Sequence, residues 1–242
     1  VIRRLLAVTA ATVLAATITP TATAATPSPV VIVAGTFGPA FFYEPLAARL
    51  RADGRQVAIF QLTNLGRADI RVSARDLNTF ADAFRSRTGA AKVDMVTHSQ
   101  GGLVARRYIK NEGGATEVGS LVNLGTPNYG TAIANLTSFF TDGICGVSCS
   151  QMEVGSSFIN DLNAGDDTVG AVRYTNLYTF LDELVRPVGN AAMKDGATNV
   201  LIQSQCPFRV VGHITLATDG TVYDGVRDAL NLQTVRLNCF AL

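Results

Sequence analysis

Only two histidines, His98 and His213, and four cysteines occur in 242 residues, and charged side chains make up 16% of the chain. With so few histidines, no His/Cys cluster has zinc-site spacing, so no metal centre is expected. Twenty lysines and arginines stand against 19 acidic residues, which lacks the basic excess that nucleic-acid binding requires. No internal repeat is visible. No apolar run reaches the ~20 residues a bilayer-spanning helix needs: the stretch from Leu5 to Ile18 is too short and is closed by Pro20. What remains is a chain 48% hydrophobic, too apolar to be disordered and long enough to bury one sizeable core, so one domain is the expectation.

The first residues read separately. A cationic start at Arg3 and Arg4, an apolar Ala/Thr-rich run and the small-x-small site Ala22-Thr23-Ala24 predict a secretory signal peptide over 1–24. Its removal leaves 18 basic against 19 acidic residues. Residues 25–29 read as a Pro/Ser/Thr linker, and 30–242 as the domain. Four cysteines suit an exported protein, where disulfides persist. They allow three pairings; Cys145 and Cys149, four apart in a Gly/Ser-rich stretch, are close enough to staple a small loop, leaving Cys206 with Cys239. The loop-entropy relation gives roughly 2 kcal/mol for the short bridge and nearly 4 for the long one.

Val30–Ala34 is a continuous apolar, β-branched run, as a strand buried on both faces should be. Helical spacing follows over Phe41–Ala52, a strand over Gln56–Leu62, an amphipathic helix over Val72–Arg87 and a strand over Lys92–Val96. A helix to about Lys110 and strands over Ser120–Leu124, Val172–Tyr178 and Asn199–Gln203 continue the alternation; Phe208–Gly212 is also strand-like. Such repetition predicts an α/β fold with a mostly parallel central sheet and helices on both faces. The pattern lapses over about 131–167, a candidate lid insertion whose apolar residues could instead pack downward.

Within that order, Thr97-His98-Ser99-Gln100-Gly101 lies between an apolar strand and a helix. A serine there sits on a tight turn that presents its hydroxyl above the sheet, and the flanking small residues let strand and helix approach. Gly101 fits; Thr97 puts a β-branched side chain where the motif usually has glycine. A plain turn and helix cap would use the same residue types. A serine becomes nucleophilic only when a base takes its proton and a third group orients that base. His98, directly before Ser99 on the turn, should point into the scaffold, which leaves His213. The acid must then come from between them. Asp182 follows an apolar strand as it leaves for its turn, Glu183 would face away, and Asp161, Asp166, Asp167 and Asp195 read as solvated surface residues. Acyl transfer also needs donors for the developing oxyanion. The backbone N–H of Gln100 is one, and Thr36, in the loop Ala34–Gly38 after the first strand, supplies the other.

On these segments the chain resembles the class 2 lipases of the α/β-hydrolase superfamily, among them bacterial secreted and fungal members. The likeness is carried by Thr97–Ala105, Gly35-Thr36, Thr175–Tyr178 with Asp182–Val185 and Pro187, Cys206 shortly before His213, and Asn123–Asn128, and spans roughly residues 30 to 230. It implies an α/β-hydrolase fold and hydrolysis of carboxylic esters, acylglycerols foremost, through a Ser99 acyl-enzyme without metal or cofactor. The implied partners are an ester or lipid substrate and a lipid–water interface. Phe37, Phe139, Phe140 and Leu184 are candidates for the substrate surface. A short-chain esterase or polyesterase is the near alternative, and a catalytically silent binding protein on the same fold the distant one.

Overall fold

The computed structural model describes residues 27–132 and 146–242. Six strands form one parallel sheet: β1 (Val30–Val33), β2 (Val57–Phe60), β3 (Val93–His98), β4 (Val118–Leu124), β5 (Arg173–Tyr178) and β6 (Thr198–Leu201). Their spatial order is β2-β1-β3-β4-β5-β6. The chain runs from β1 to one neighbour and later crosses to the other, so the carboxyl ends of β1 and β3 flank the topological switch point, where open α/β sheets bind ligands.

Strand side chains alternate between faces, and each face is covered by helices, which is why β1 is apolar on both faces. Val31, Val33, Met95 and Leu121 pack on one side against α2 (Ile70–Thr88), α3 (Gln100–Asn111), α4 (Val147–Met152) and α5 (Ser157–Asn163), through residues such as Leu77, Leu103, Met152 and Phe158. Val30, Ile32, Val96, Val122 and Leu177 pack on the other against α1 (Glu44–Ala52) and α7 (Gly220–Leu230), through Leu46, Leu50, Val222 and Val226. Among the described residues no helix is long and apolar enough to cross a membrane.

A polar row, buried from Thr97 to Asn176 and exposed at Asn199, crosses the sheet just below its carboxyl edge. Thr97 on β3, Asn123 on β4, Asn176 on β5 and Asn199 on β6 are register partners in turn. The Thr97 hydroxyl donates to Asn123 Oδ1 (2.7 Å), Asn123 Nδ2 to Asn176 Oδ1 (2.9 Å) and Asn176 Nδ2 to Asn199 Oδ1 (2.8 Å). A slip by one residue would leave these groups unpaired in the interior, so the row pins the register. It also accounts for threonine at position 97.

Three expectations need correction. Asn199–Gln203 is strand only to Leu201; Gln203 belongs to a one-turn helix, α6 (Ile202–Gln205). Phe208–Gly212 forms no strand. Its backbone is bound by side chains instead: Gln203 Nε2 donates to Arg209 O and the Thr179 hydroxyl to Val211 O, while Phe208 and Val210 are 96% and 82% exposed. The segment 131–167, expected to be irregular, contains α4 and α5, whose Met152 and Phe158 pack downward into the core. Phe139, Phe140, Ile144 and Cys145 lie outside the described residues, as does the expected signal peptide. Cys206 and Cys239 are joined as expected.

Candidate active site

β3 ends at His98 and α3 starts at Gln100, which leaves Ser99 alone to reverse the chain, at φ 55° and ψ −127°. A side-chain-bearing residue there costs about 1–3 kcal/mol and persists only when its surroundings over-determine it. They do: the Ser99 amide donates to Leu124 O at the end of β4 (2.9 Å), and Gly102 N–H donates to Ser99 O (3.1 Å). Close approach of α3 to β1 then demands glycine at 101, where a Cβ would lie 2.5 Å from the carbonyl oxygens of both Val33 and Ala34.

Asp182 and His213, 31 positions apart, meet beside this turn. Asp182 Oδ1 accepts the amides of Leu184 (2.9 Å) and Val185 (2.7 Å), which fixes the carboxylate and leaves Oδ2 to His213 Nδ1 at 2.8 Å. Both residues are 1% exposed. The other ring nitrogen of His213, Nε2, is buried with no hydrogen-bond partner among the described residues. Ser99 and His213 line one cavity of about 230 Å³, together with Thr36, Phe37, Phe42, Leu184 and Ile214. Phe37 and Leu184 are therefore at the site, whereas Phe41 is 77% exposed.

Glu183 does not face away as the sequence suggested. Its Oε2 accepts the backbone N–H of His213 (2.9 Å), a contact that opens only once the loop carrying His213 is folded back against the turn after β5. That loop is tied down at several points. The disulfide Cys206–Cys239 holds its start, and Arg209 donates two hydrogen bonds to Asp219 Oδ2 (2.9 and 2.7 Å). Gln203 reaches both Thr179 and Arg209 O.

His98 points inward, as expected, and is buried. Burial, with His213 beside it as a second cause, pushes its pKa down to about 3. In the loop after β1, Gly35 N–H donates to the Tyr43 hydroxyl (2.7 Å) and Phe37 N–H to Leu65 O (2.9 Å). The intervening amide of Thr36 has no such protein partner among the described residues. Across from it, Gln100 opens α3, where amides lack helical acceptors and the helix dipole favours negative charge. The Thr36 hydroxyl donates to Gln100 Oε1 (2.6 Å), joining the two segments.

Asp166, Asp167 and Asp195 could bring three carboxylates within 4.8 Å. Asp167, expected at the surface, is buried, and its carboxylate accepts from Tyr129 and from the amides of Lys194 and Asp195. Asp161, Asp166 and Asp195 are exposed.

The sequence pattern of the family described as lipase (class 2) matches residues 27–223. The chain belongs to the class 2 lipase family. Solved structures agree on its α/β-hydrolase fold. Aspergillus fumigatus lipase B superposes with a TM-score of 0.73 at 20% identity, covering 89% of this chain and 55% of its own, so this class 2 lipase chain spans little more than half that protein's length. A lipase of Bacillus licheniformis in its mature form gives 0.70 at 16% identity, covering 86% and 93%. An α/β hydrolase from a Mar Chica lagoon sediment metagenome gives 0.55 at 18%, covering 79% and 84%.

Proposed function

We propose that the protein is a secreted serine hydrolase of carboxylic esters, acting on triacylglycerols. The observation that carries this reading is the buried Asp182–His213 bond, with His213 Nε2 left unpartnered beside the cavity that Ser99 also lines. Ser99 Oγ attacks the ester carbonyl as His213 Nε2 takes its proton, and Asp182 holds the ring and stabilises the imidazolium. The carbonyl oxygen, now negative, is received by the amides of Thr36 and Gln100, which need little reorganisation because the adjacent amides are already committed. Collapse expels the alcohol, protonated by His213, and leaves Ser99 acylated. Water, deprotonated by His213, then releases the acid and restores the serine. Membership in a lipase family and a disulfide suited to oxidising compartments support the substrate class and the export.

The size of the cavity favours a second reading. At about 230 Å³ it lies below the roughly 300–1,000 Å³ of sites for drug-sized ligands, which suits a short acyl chain. Turnover of p-nitrophenyl butyrate by the wild type and its loss in Ser99→Ala test the chemistry; equal inactivity of both would favour a binding protein. Rates on tributyrin followed through its solubility limit, and on emulsified triolein, then separate the substrates. A rise at the interface supports the lipase, and saturation below it the short-chain esterase.

A further inference from the structure

His213 has three polar positions besides Nε2, and the structure occupies all three with side chains. Asp182 takes its ring Nδ1–H, Glu183 takes its backbone N–H at 2.9 Å, and His98 Nε2 lies 3.0 Å from its carbonyl oxygen. The last contact fixes a chain of protons. A carbonyl oxygen only accepts, so His98 Nε2 carries the hydrogen. Neutral His98 must then accept at Nδ1, and the partner there is the Tyr43 hydroxyl at 3.0 Å. Tyr43 in turn accepts the amide of Gly35, the residue before Thr36. The whole row is buried, and no member has a second choice of direction.

We propose that Tyr43, His98 and Glu183 are positioning residues that grip the main chain of His213 from both sides and couple it to the loop after β1. The proposal rests on the reading of Ser99 and His213 as nucleophile and base. Asp182 sets the rotation of the imidazole about its bonds, but where the ring stands relative to Ser99 depends on the backbone of an irregular loop, and the grip supplies what regular structure would have supplied. His98 suits the post because it stays neutral: a positive ring at a centroid distance of 5.1 Å from His213 would oppose the imidazolium that forms during turnover. The charged and titratable groups facing His213 are thus Asp182, Glu183 and His98, with Tyr43 behind His98.

The test compares the full-length wild type, Ser99→Ala, Tyr43→Phe, Glu183→Ala and Glu183→Gln on p-nitrophenyl butyrate from pH 5 to 9, with melting curves to verify folding. Tyr43→Phe and Glu183→Ala are expected to lower kcat by about 10- to 100-fold with KM nearly unchanged, because displacement of a reacting group by an ångström costs on that order. Glu183→Gln keeps an oxygen for the His213 amide and should recover most of kcat. Unchanged kcat in both Tyr43→Phe and Glu183→Ala, a loss confined to KM, or no recovery of kcat in Glu183→Gln overturns the grip. If Glu183→Ala fails to fold, Tyr43→Phe decides. Absence of Ser99-dependent turnover in the wild type overturns the activity reading alone; the grip is then read from imidazole NMR, which is uncrowded because the chain has two histidines. Imidazole chemical shifts of His98 and His213 unchanged in Tyr43→Phe would overturn it there.

Discussion

The turn around Ser99 and the loop around His213 meet at one cavity but are built by opposite means. Ser99 is set chiefly by its neighbours in sequence, a strand before it, a helix after it and glycine where a Cβ would strike β1, with one long-range tie from its amide to Leu124 O. His213 stands between an irregular segment and the 3-10 turn Ile214–Ala217, and beside local bonds such as Leu216 N–H to Gly212 O its ties reach far along the chain, to Glu183, His98, Thr179 and, through the disulfide, Cys239. Steric necessity makes the first region all-or-none. Many separate bonds make the second adjustable, since each can be weakened by itself.

Gly101→Val should be the harshest way to probe this contrast. Two carbonyl oxygens at 2.5 Å from the new Cβ would force α3 off β1, lowering ester turnover by about 100-fold or more and stability by about 1–3 kcal/mol. Removing the bridge with Cys206→Ser and Cys239→Ser releases a loop of sequence separation 33, worth about 4 kcal/mol in the entropy model. At about 2–4 °C per kcal/mol for a chain of this size, Tm should fall by about 8–16 °C, while kcat below the transition should fall far less than in Gly101→Val. A disulfide-free variant catalytically worse than the glycine variant would break the contrast.

His98 supplies a third effect, one that depends on pH. Its folded pKa, about 3, lies below the ordinary value of 6.5, so between these limits the unfolded chain binds the extra proton. Stability from this group is complete above about pH 6.5 and is lost as pH falls toward 3. Denaturant titrations at pH 7, 6, 5 and 4 should show the decline, and His98→Gln, which does not titrate, should flatten it. An equal slope in the two proteins would mean that His98 is not the group responsible.

Much of the fold was legible in the residues. Runs such as Val30–Val33 and the amphipathic spacing of Ile70–Thr88 report their own environment, because burial on two faces or one leaves a period in the side chains. Ser99, Asp182 and His213 could be chosen because chemistry needs a serine, a base and an acid and the chain offers few candidates. Phe208–Gly212 misled because a short β-branched run has the same composition whether or not a neighbouring strand pairs with it. Glu183 and Tyr43 left no signal: a carboxylate that holds a backbone amide 30 positions away, and a tyrosine that completes a histidine 55 positions away, follow no local period.

By itself, then, the sequence determined the six strands and the helices that join the first four of them, the place of the sharp turn and the residue types available for acyl transfer, but not the later helices, since propensity, steric exclusion and hydrophobic period act over a few residues. Only the tertiary structure decided that Thr97, Asn123, Asn176 and Asn199 form one row, that Asp182 turns a single oxygen to His213, and that His98 serves as a strut. Those are matters of register and of hydrogen bonds closed over long loops, and their geometry exists only after the sheet has brought distant segments together.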